Sequence, residues 1–186
     1  MQAKFGKYSD LELLDRIRSG GGDREMAFAE LYGRYSSKIY SFCLRMLGDS
    51  SDAQDAFQDC ILHFYDAVLK GREVKFVQAY LYQIARRHCL NFKRDKKNMV
   101  GISELDFVAV RNEYEDAELM DLIMKSLDLL EPDYKEAFIL RQLHGLSYAE
   151  VSEITEEKVS TIKTRVWRAK DKIKQILTPY LEDLTK

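Results

Sequence analysis

The stretch GLSYAEVSEITEEKVSTIKTRVWRAKDKI, residues 145–173, decides how this chain is read. Ser147 begins a helix, and Glu150 three residues on completes a capping box. Val151 and Ile154 follow at inward-facing spacing. After a short turn, Val159, Ile162, Val166, Ala169, Ile173 and Ile176 recur three and four residues apart, which is one apolar stripe on a second helix. Its other faces carry Lys163, Thr164, Arg165, Trp167, Arg168, Lys170 and Lys172. Two short-linked helices, the second basic, read as a helix-turn-helix, because an exposed helix fits the DNA major groove and reaches base edges there. An ordinary amphipathic surface helix with solvated lysines has the same spacing. The rest of the chain has to separate the two.

Net charge does not, since the 186 residues sum to only −2. The charges are segregated, however. Arg86–Lys97 holds six basic residues and one acid, Glu104–Asp121 seven acids and one arginine, and Lys158–Lys174 seven basic residues and one acid. Two cationic blocks on helices with aromatic neighbours, parted by an acidic block, point to two nucleic-acid contacts and a non-contacting linker.

Composition is that of an all-α chain. Apolar residues make up 46%, with two prolines and nine glycines, and alternating β-branched runs are few. No apolar run is long enough to span a membrane, and the N-terminus lacks an apolar signal core. Cys43, Cys60 and Cys89 fall inside helical patterns, which suits reduced, buried thiols in the cytoplasm.

Four helices are expected in the first half. Ser9–Ser19 has a capping box at Ser9 and Glu12 and stops at Gly20. Glu25–Leu47 carries the stripe Phe28, Leu31, Tyr35, Ile39, Phe42 and Met46, and Gly48 ends it. Ser51–Leu69 starts with a box of Ser51 and Gln54, and turns Ala53, Phe57, Cys60, Phe64 and Val68 inward. Phe76–Lys93 turns Val77, Leu81, Ile84, His88 and Phe92 inward. Domain boundaries are read as 1–97, an acidic linker 98–115, and 116–186. The last segment brings the stripe Leu119, Ile123, Ser126, Leu127 and Leu130, then a helix opening at Pro132, then the helix-turn-helix. The fold class is thus all-α, two small helical domains, the second a four-helix domain.

The fourth helix is the other functional element. Tyr80, Tyr82, Arg86, Arg87, Asn91, Lys93 and Arg94 combine rings, cations and an amide, which suits single-stranded DNA: unstacked bases lie on aromatic faces while the backbone follows a basic groove. Tyrosines that serve the core and arginines that serve only solubility are the competing account.

In order along the chain, four motifs resemble the extracytoplasmic-function group of RNA polymerase sigma factors, in the sigma-70 family. They are Asp10-Leu-Glu-Leu-Leu with Ala27-Phe-Ala-Glu-Leu-Tyr-Gly-Arg-Tyr35, Asp52-Ala-Gln-Asp-Ala-Phe-Gln-Asp59, Tyr80-Leu-Tyr-Gln-Ile-Ala-Arg-Arg87, and Gly145-Leu-Ser-Tyr-Ala-Glu-Val151 followed by Val159–Lys170. The resemblance implies an alternative sigma factor. It would bind core RNA polymerase at the clamp coiled coil and the flap, and direct initiation at particular promoters.

The same resemblance implies residue roles. Asp52, Asp55, Gln58 and Asp59 would dock on the polymerase. Tyr80, Tyr82, Arg86, Arg87, Asn91 and Arg94 would open and hold the promoter −10 element. Arg141, Ser160, Thr161, Lys163, Thr164, Trp167, Arg168 and Lys170 would read the −35 element as duplex, Arg141 and Lys170 toward the backbone. An anti-sigma factor is an implied partner, and no cofactor, metal, catalytic residue or small-molecule substrate is expected. Three positions depart from the family pattern. Tyr80 stands where tryptophan is usual, and Arg87 where asparagine is frequent. Thr155–Lys158 replaces a turn close to Leu-Gly-Ile-Ser, leaving Lys158 at the N-cap position, a poor cap, with Thr155 as the alternative.

Two other functions fit parts of the sequence. A helix-turn-helix regulator acting without polymerase would keep a ligand pocket in the first half. An enzyme would need more than Cys60 with His63, and His88 beside Cys89, which are weak metal groupings.

Overall fold

The computed structural model describes residues 5–99 and 117–184, and side chains for 5–96 and 122–179. The described residues are helical, without strands. The chain divides into two compact units, Met1–Ser103 and Glu104–Lys186.

Unit 1 holds α1 (Asp10–Ser19), α2 (Arg24–Leu47), α3 (Ser50–Leu69) and α4 (Val77–Met99). The box at Ser9 forms as expected, with the Ser9 amide donating to the Glu12 carboxylate at 2.7 Å and the Glu12 amide to Ser9 Oγ at 3.4 Å. Arg34 of α2 ties down the start of α1, donating to Asp10 at 2.8 Å, Glu30 at 2.9 Å and the Tyr8 carbonyl at 2.9 Å. Gly48 ends α2 at φ 77, where a Cβ would be strained, and its amide reaches the Leu44 carbonyl at 2.8 Å. The cap of α3 is not Ser51. Asp49 fills that place, accepting from the Asp52 amide at 2.8 Å, so the Ser51–Gln54 box does not form. A carboxylate suits that end because it also meets the exposed amides and the positive helix pole.

The core of unit 1 is where α2, α3 and α4 converge. Leu31, Ile39, Phe42, Met46, Ala53, Cys60, Phe64, Val68, Leu81 and Ile84 are buried there. Each large aliphatic or aromatic side chain so removed from water contributes about 1.5–3 kcal/mol. His88 and Phe92, expected inward, are only half-buried. α4 also runs six residues beyond Lys93, into the segment read as linker. The rest of that linker, and the Leu119 side chain, lie outside the described residues.

Unit 2 holds α5 (Ala117–Asp128), α6 (Pro132–Phe138), a π-helical turn (Ile139–Leu143), α7 (Tyr148–Thr155) and α8 (Val159–Leu184). Pro132 opens α6, where a missing amide proton is harmless. The π turn closes with the His144 amide on the Ile139 carbonyl at 3.0 Å. It was not expected from sequence. Gly145, at φ 71, turns the chain out of it toward α7. Leu127, Ala137, Leu140, Val151, Ile154, Ile162, Val166 and Ala169 form the core. The α8 stripe ends on Leu177 and leaves Val159 exposed at 39%, a shift from the expected Val159–Ile176 line. No helix among the described residues is long and apolar enough to cross a membrane.

Candidate nucleic-acid and docking interfaces

In unit 2 the geometry starts at the cap of α7. The Ser147 amide donates to the Glu150 carboxylate at 2.7 Å and the Glu150 amide to Ser147 Oγ at 3.2 Å. The Ser147 hydroxyl and amide hold the Glu150 carboxyl below its ordinary range. The following turn is built without glycine. Glu156 takes the left-handed conformation at φ 60, ψ 28, and Ser152 Oγ donates to the Glu157 carbonyl. Thr155 does not cap α8: its hydroxyl is buried and turned back to the Val151 carbonyl at 2.7 Å. The Ile162 amide instead uses the Lys158 carbonyl at 3.0 Å. Arg165 braces the turn from α8, donating to Glu157 at 3.0 Å and to Asp133 of α6 at 2.7 Å.

Outward from this frame, Ser160, Lys163, Thr164, Trp167, Arg168 and Lys170 are exposed, and Thr161 is half-buried. Trp167 leaves 66% of its surface in water. Tyr148, Lys163, Thr164 and Trp167 line a shallow open cleft. Arg141, carried on the π turn, lies 4.9 Å from the Tyr148 ring centre, and Lys163 lies 5.9 Å from it. Tyr148 was not among the residues expected from sequence, although its place beside the cap was visible. Arg168 donates to the Tyr134 hydroxyl at 2.9 Å, and Lys172 to Glu131 at 2.6 Å. This surface offers cations, hydroxyls and a ring on one rigid helix, the means of meeting both phosphates and base edges.

In unit 1, α4 separates the expected group. Tyr82 is fully buried, its ring edge-on to Phe42, and burial keeps its phenol protonated far above the ordinary range. Its assignment to a DNA surface is therefore corrected: a ring with no exposed face cannot stack on a base. Tyr80 is half-buried, with its ring 5.1 Å from the Arg72 guanidinium and 6.1 Å from the Phe64 ring. Tyr80, Arg87, Asn91 and Arg94 follow at steps of seven, four and three, so they share one line of the helix. Arg87 and Arg94 are exposed, and Asn91 and Arg86 half-buried. Arg86 sits off that line. Phe76, just before α4, is 66% exposed and continues it. In the sequence Phe76 stands at the expected helix start and falls outside the Val77–Leu81–Ile84 stripe.

On α3, Asp55, Gln58 and Asp59 are exposed and project from the side opposite the core. Asp52 is different: Lys96 of α4 donates to it at 2.9 Å, and it is half-buried. Leu62, one turn beyond Gln58, is 64% exposed. It stands off the Cys60–Phe64 stripe, which is the signal by which sequence could have found it. Asp59 also faces His88 Nδ1 at 3.8 Å.

The weak metal groupings come to little. Cys60 is buried, donates to the Leu81 carbonyl at 3.5 Å, and burial pushes its thiol up to about 12. A thiol is a metal ligand only as thiolate. The His63 and His88 rings meet edge-on at 5.9 Å. Among the described residues no three His, Cys, Asp or Glu side chains are placed to hold a metal ion.

Comparison with known proteins matches residues 31–99 to sigma-70 region 2 and residues 120–173 to sigma-70 region 4. The chain is similar to an ECF RNA polymerase sigma-E factor of Haemophilus influenzae, with 27% identity over 93% of this chain and 97% of that one. It is also similar to the RNA polymerase sigma-H factor of Pseudomonas aeruginosa, with 25% identity over 94% and 96%. Among solved structures, the sigma factor RpoE of Bartonella quintana, determined in complex with the anti-sigma factor NepR, superimposes with a TM-score of 0.74. That match covers 81% of this chain and 96% of the other at 23% identity, and it supports the fold.

Proposed function

Because the chain belongs to the sigma-70 family of RNA polymerase sigma factors, in its extracytoplasmic-function group, we propose a division of labour between its two units. The protein is an alternative sigma factor, which binds core RNA polymerase and directs initiation to particular promoters. The two region matches, in order and one in each unit, carry this reading and disfavour a regulator that works without polymerase.

Asp55, Gln58, Asp59 and Leu62 form the docking face on α3. Three polar side chains around one exposed leucine make a surface suited to a partner helix: the leucine is desolvated at the centre while the rim stays polar. Asp52 supports this face through Lys96 rather than meeting the partner.

The −10 strand lies along Phe76, Tyr80, Arg87, Asn91 and Arg94. Opening a duplex costs unpairing and unstacking energy, which rings and cations offset by holding the separated strand. Tyr82 serves the core beneath them. In unit 2, α8 enters the major groove of the −35 element. Lys163, Thr164 and Trp167 face bases, Ser160, Thr161 and Arg168 flank them, and Arg141 and Lys170 reach the backbone. The chain contributes binding and specificity, and the polymerase does the chemistry. It works in the cytoplasm, where the polymerase is. The Bartonella relative was solved with an anti-sigma factor, and an inhibitor of that kind is proposed for this chain.

The test is permanganate reactivity of promoter thymines with core polymerase and the full chain. Tyr80→Ala with Arg87→Ala is expected to retain core binding and lose reactivity on linear duplex. A promoter already unpaired at the −10 element should recover it. Melting equal to wild type by the double variant contradicts the assignment of α4. Asp55→Arg with Gln58→Arg should lose polymerase capture while keeping helical content, and unchanged capture contradicts the docking face.

A further inference from the structure

Resting on the assignment of unit 2 to duplex DNA, we propose that Glu131 and Asp133, at the start of α6, act as internal phosphate mimics that restrain non-specific DNA binding by α8 and so set its specificity.

The cations of α8 fall into two sets by their angular position. Lys163, Lys170 and Lys174 lie on the side of Trp167, and make no ion pair among the described residues. Arg165, Arg168 and Lys172 follow at steps of three and four on the flank facing α6, and each is engaged. Lys172 Nζ meets both Glu131 carboxylate oxygens, at 2.6 and 2.7 Å. Arg165 meets Asp133 at 2.7 Å and Glu157 of the turn at 3.0 Å. Arg168 meets the Tyr134 hydroxyl at 2.9 Å, and Glu131 also acts on its charge. Glu131 and Asp133 are themselves exposed, as is Arg168.

Stability does not account for the Glu131–Lys172 pair, whose side chains are both exposed. Exposed ion pairs contribute about 0–1 kcal/mol each, so the Glu131 pair does little for the fold. Its consequence is for DNA. Non-specific affinity comes from counterions released as cations meet phosphates, and each cation adds about 0.9 to the dependence of log affinity on log salt. A cation already held by a carboxylate releases no counterion, and the carboxylate repels a phosphate backbone approaching that flank. Base reading from the Lys163–Trp167 side loses less, because it does not depend on phosphate contacts alone. The ratio of specific to non-specific binding therefore rises.

The experiment uses the full chain with Glu131→Gln, Asp133→Asn and both together. Two probes are titrated over a salt series: a short duplex of unrelated sequence, and the duplex that wild type enriches most from a randomised pool. The double variant should bind the unrelated duplex several-fold more tightly at low salt, with a slope steeper by about 1–2. The enriched duplex should gain less, so discrimination falls. Glu131 precedes α6, so Glu131→Gln alone keeps the test intact if Asp133→Asn perturbs the helix; it should give about half the change in slope. Glu25→Gln in α2 makes the same change in net charge elsewhere. An equal effect from it overturns the proposal, because the effect would then be one of total charge. Unchanged slope and discrimination in the double variant also overturn it, with duplex reading left standing. A wild-type chain that binds neither duplex overturns duplex reading and the proposal together.

Discussion

The ring of Tyr82 meets that of Phe42 edge-on, with centroids 5.4 Å apart and planes at 89°. This contact joins α4 to α2 inside unit 1, where neither ring reaches solvent. Removing the Tyr82 ring would leave a cavity that helices fixed by other contacts cannot fill. Tyr82→Ala is expected to destabilise unit 1 by about 3–5 kcal/mol. Arg87→Ala, on the exposed side, should stay within about 0.5 kcal/mol of wild type. Urea unfolding followed by helical signal distinguishes them. A Tyr82→Ala chain as stable as wild type would contradict the core placement.

Glu156 occupies the left-handed conformation without being glycine. A Cβ there costs roughly 1–2 kcal/mol, of which glycine's larger entropy loss on folding returns about 0.5–1. Glu156→Gly should therefore stabilise unit 2 by up to about 1.5 kcal/mol. A lower unfolding midpoint in the variant would show that the Glu156 side chain makes a compensating contact.

His88 lies between Asp59, His63 and Arg87. Burial lowers its pKa from the usual 6.5, with the His63 and Arg87 charges adding to the shift and Asp59 opposing it. The folded state thus takes up this proton less readily than the unfolded chain. Its contribution to stability is fully present above about pH 6.5 and is lost as pH falls below that value, until the folded group is itself protonated. Unfolding midpoints measured over about pH 5–8 should decline toward the acid end, and His88→Gln should flatten the decline. A midpoint that rises on acidification gives the wrong sign for this account.

Trp167 is exposed, so its removal should spare the fold and affect only what it touches. Trp167→Ala is expected to leave the unfolding midpoint within about 0.5 kcal/mol. It should weaken binding to the enriched duplex by about 1–3 kcal/mol if the ring contacts bases. Affinity of Trp167→Ala for the enriched duplex equal to that of wild type would remove Trp167 from the reading surface.

Local chemistry was legible in the chain. The boxes at Ser9 and Ser147 depend on residues three apart, and both form. At α3 the run Gly-Asp-Ser-Ser-Asp offers several caps, and the choice of Asp49 depends on where Gly48 closes α2, which periodicity does not record. Tyr80 and Tyr82 look alike in the sequence, both being tyrosines on one basic helix. Two steps turn a helix by about 200°, so one ring reaches the surface line and the other enters the core. Side-chain contacts between Arg165 and Asp133, or Lys172 and Glu131, join residues 32 and 41 apart. They require packing of α6 against α8, and no spacing in the sequence encodes it. The π turn that carries Arg141 is likewise a product of packing.

The central claim is that this chain confers promoter choice on core RNA polymerase. Transcription in vitro from fragmented genomic DNA, with start sites mapped with and without the full chain, tests it most directly. The account predicts discrete new starts that appear only with the chain, share sequence at the −35 and −10 positions, and disappear with Tyr80→Ala plus Arg87→Ala. An identical set of starts with and without the chain, while the chain remains bound to polymerase, would contradict it.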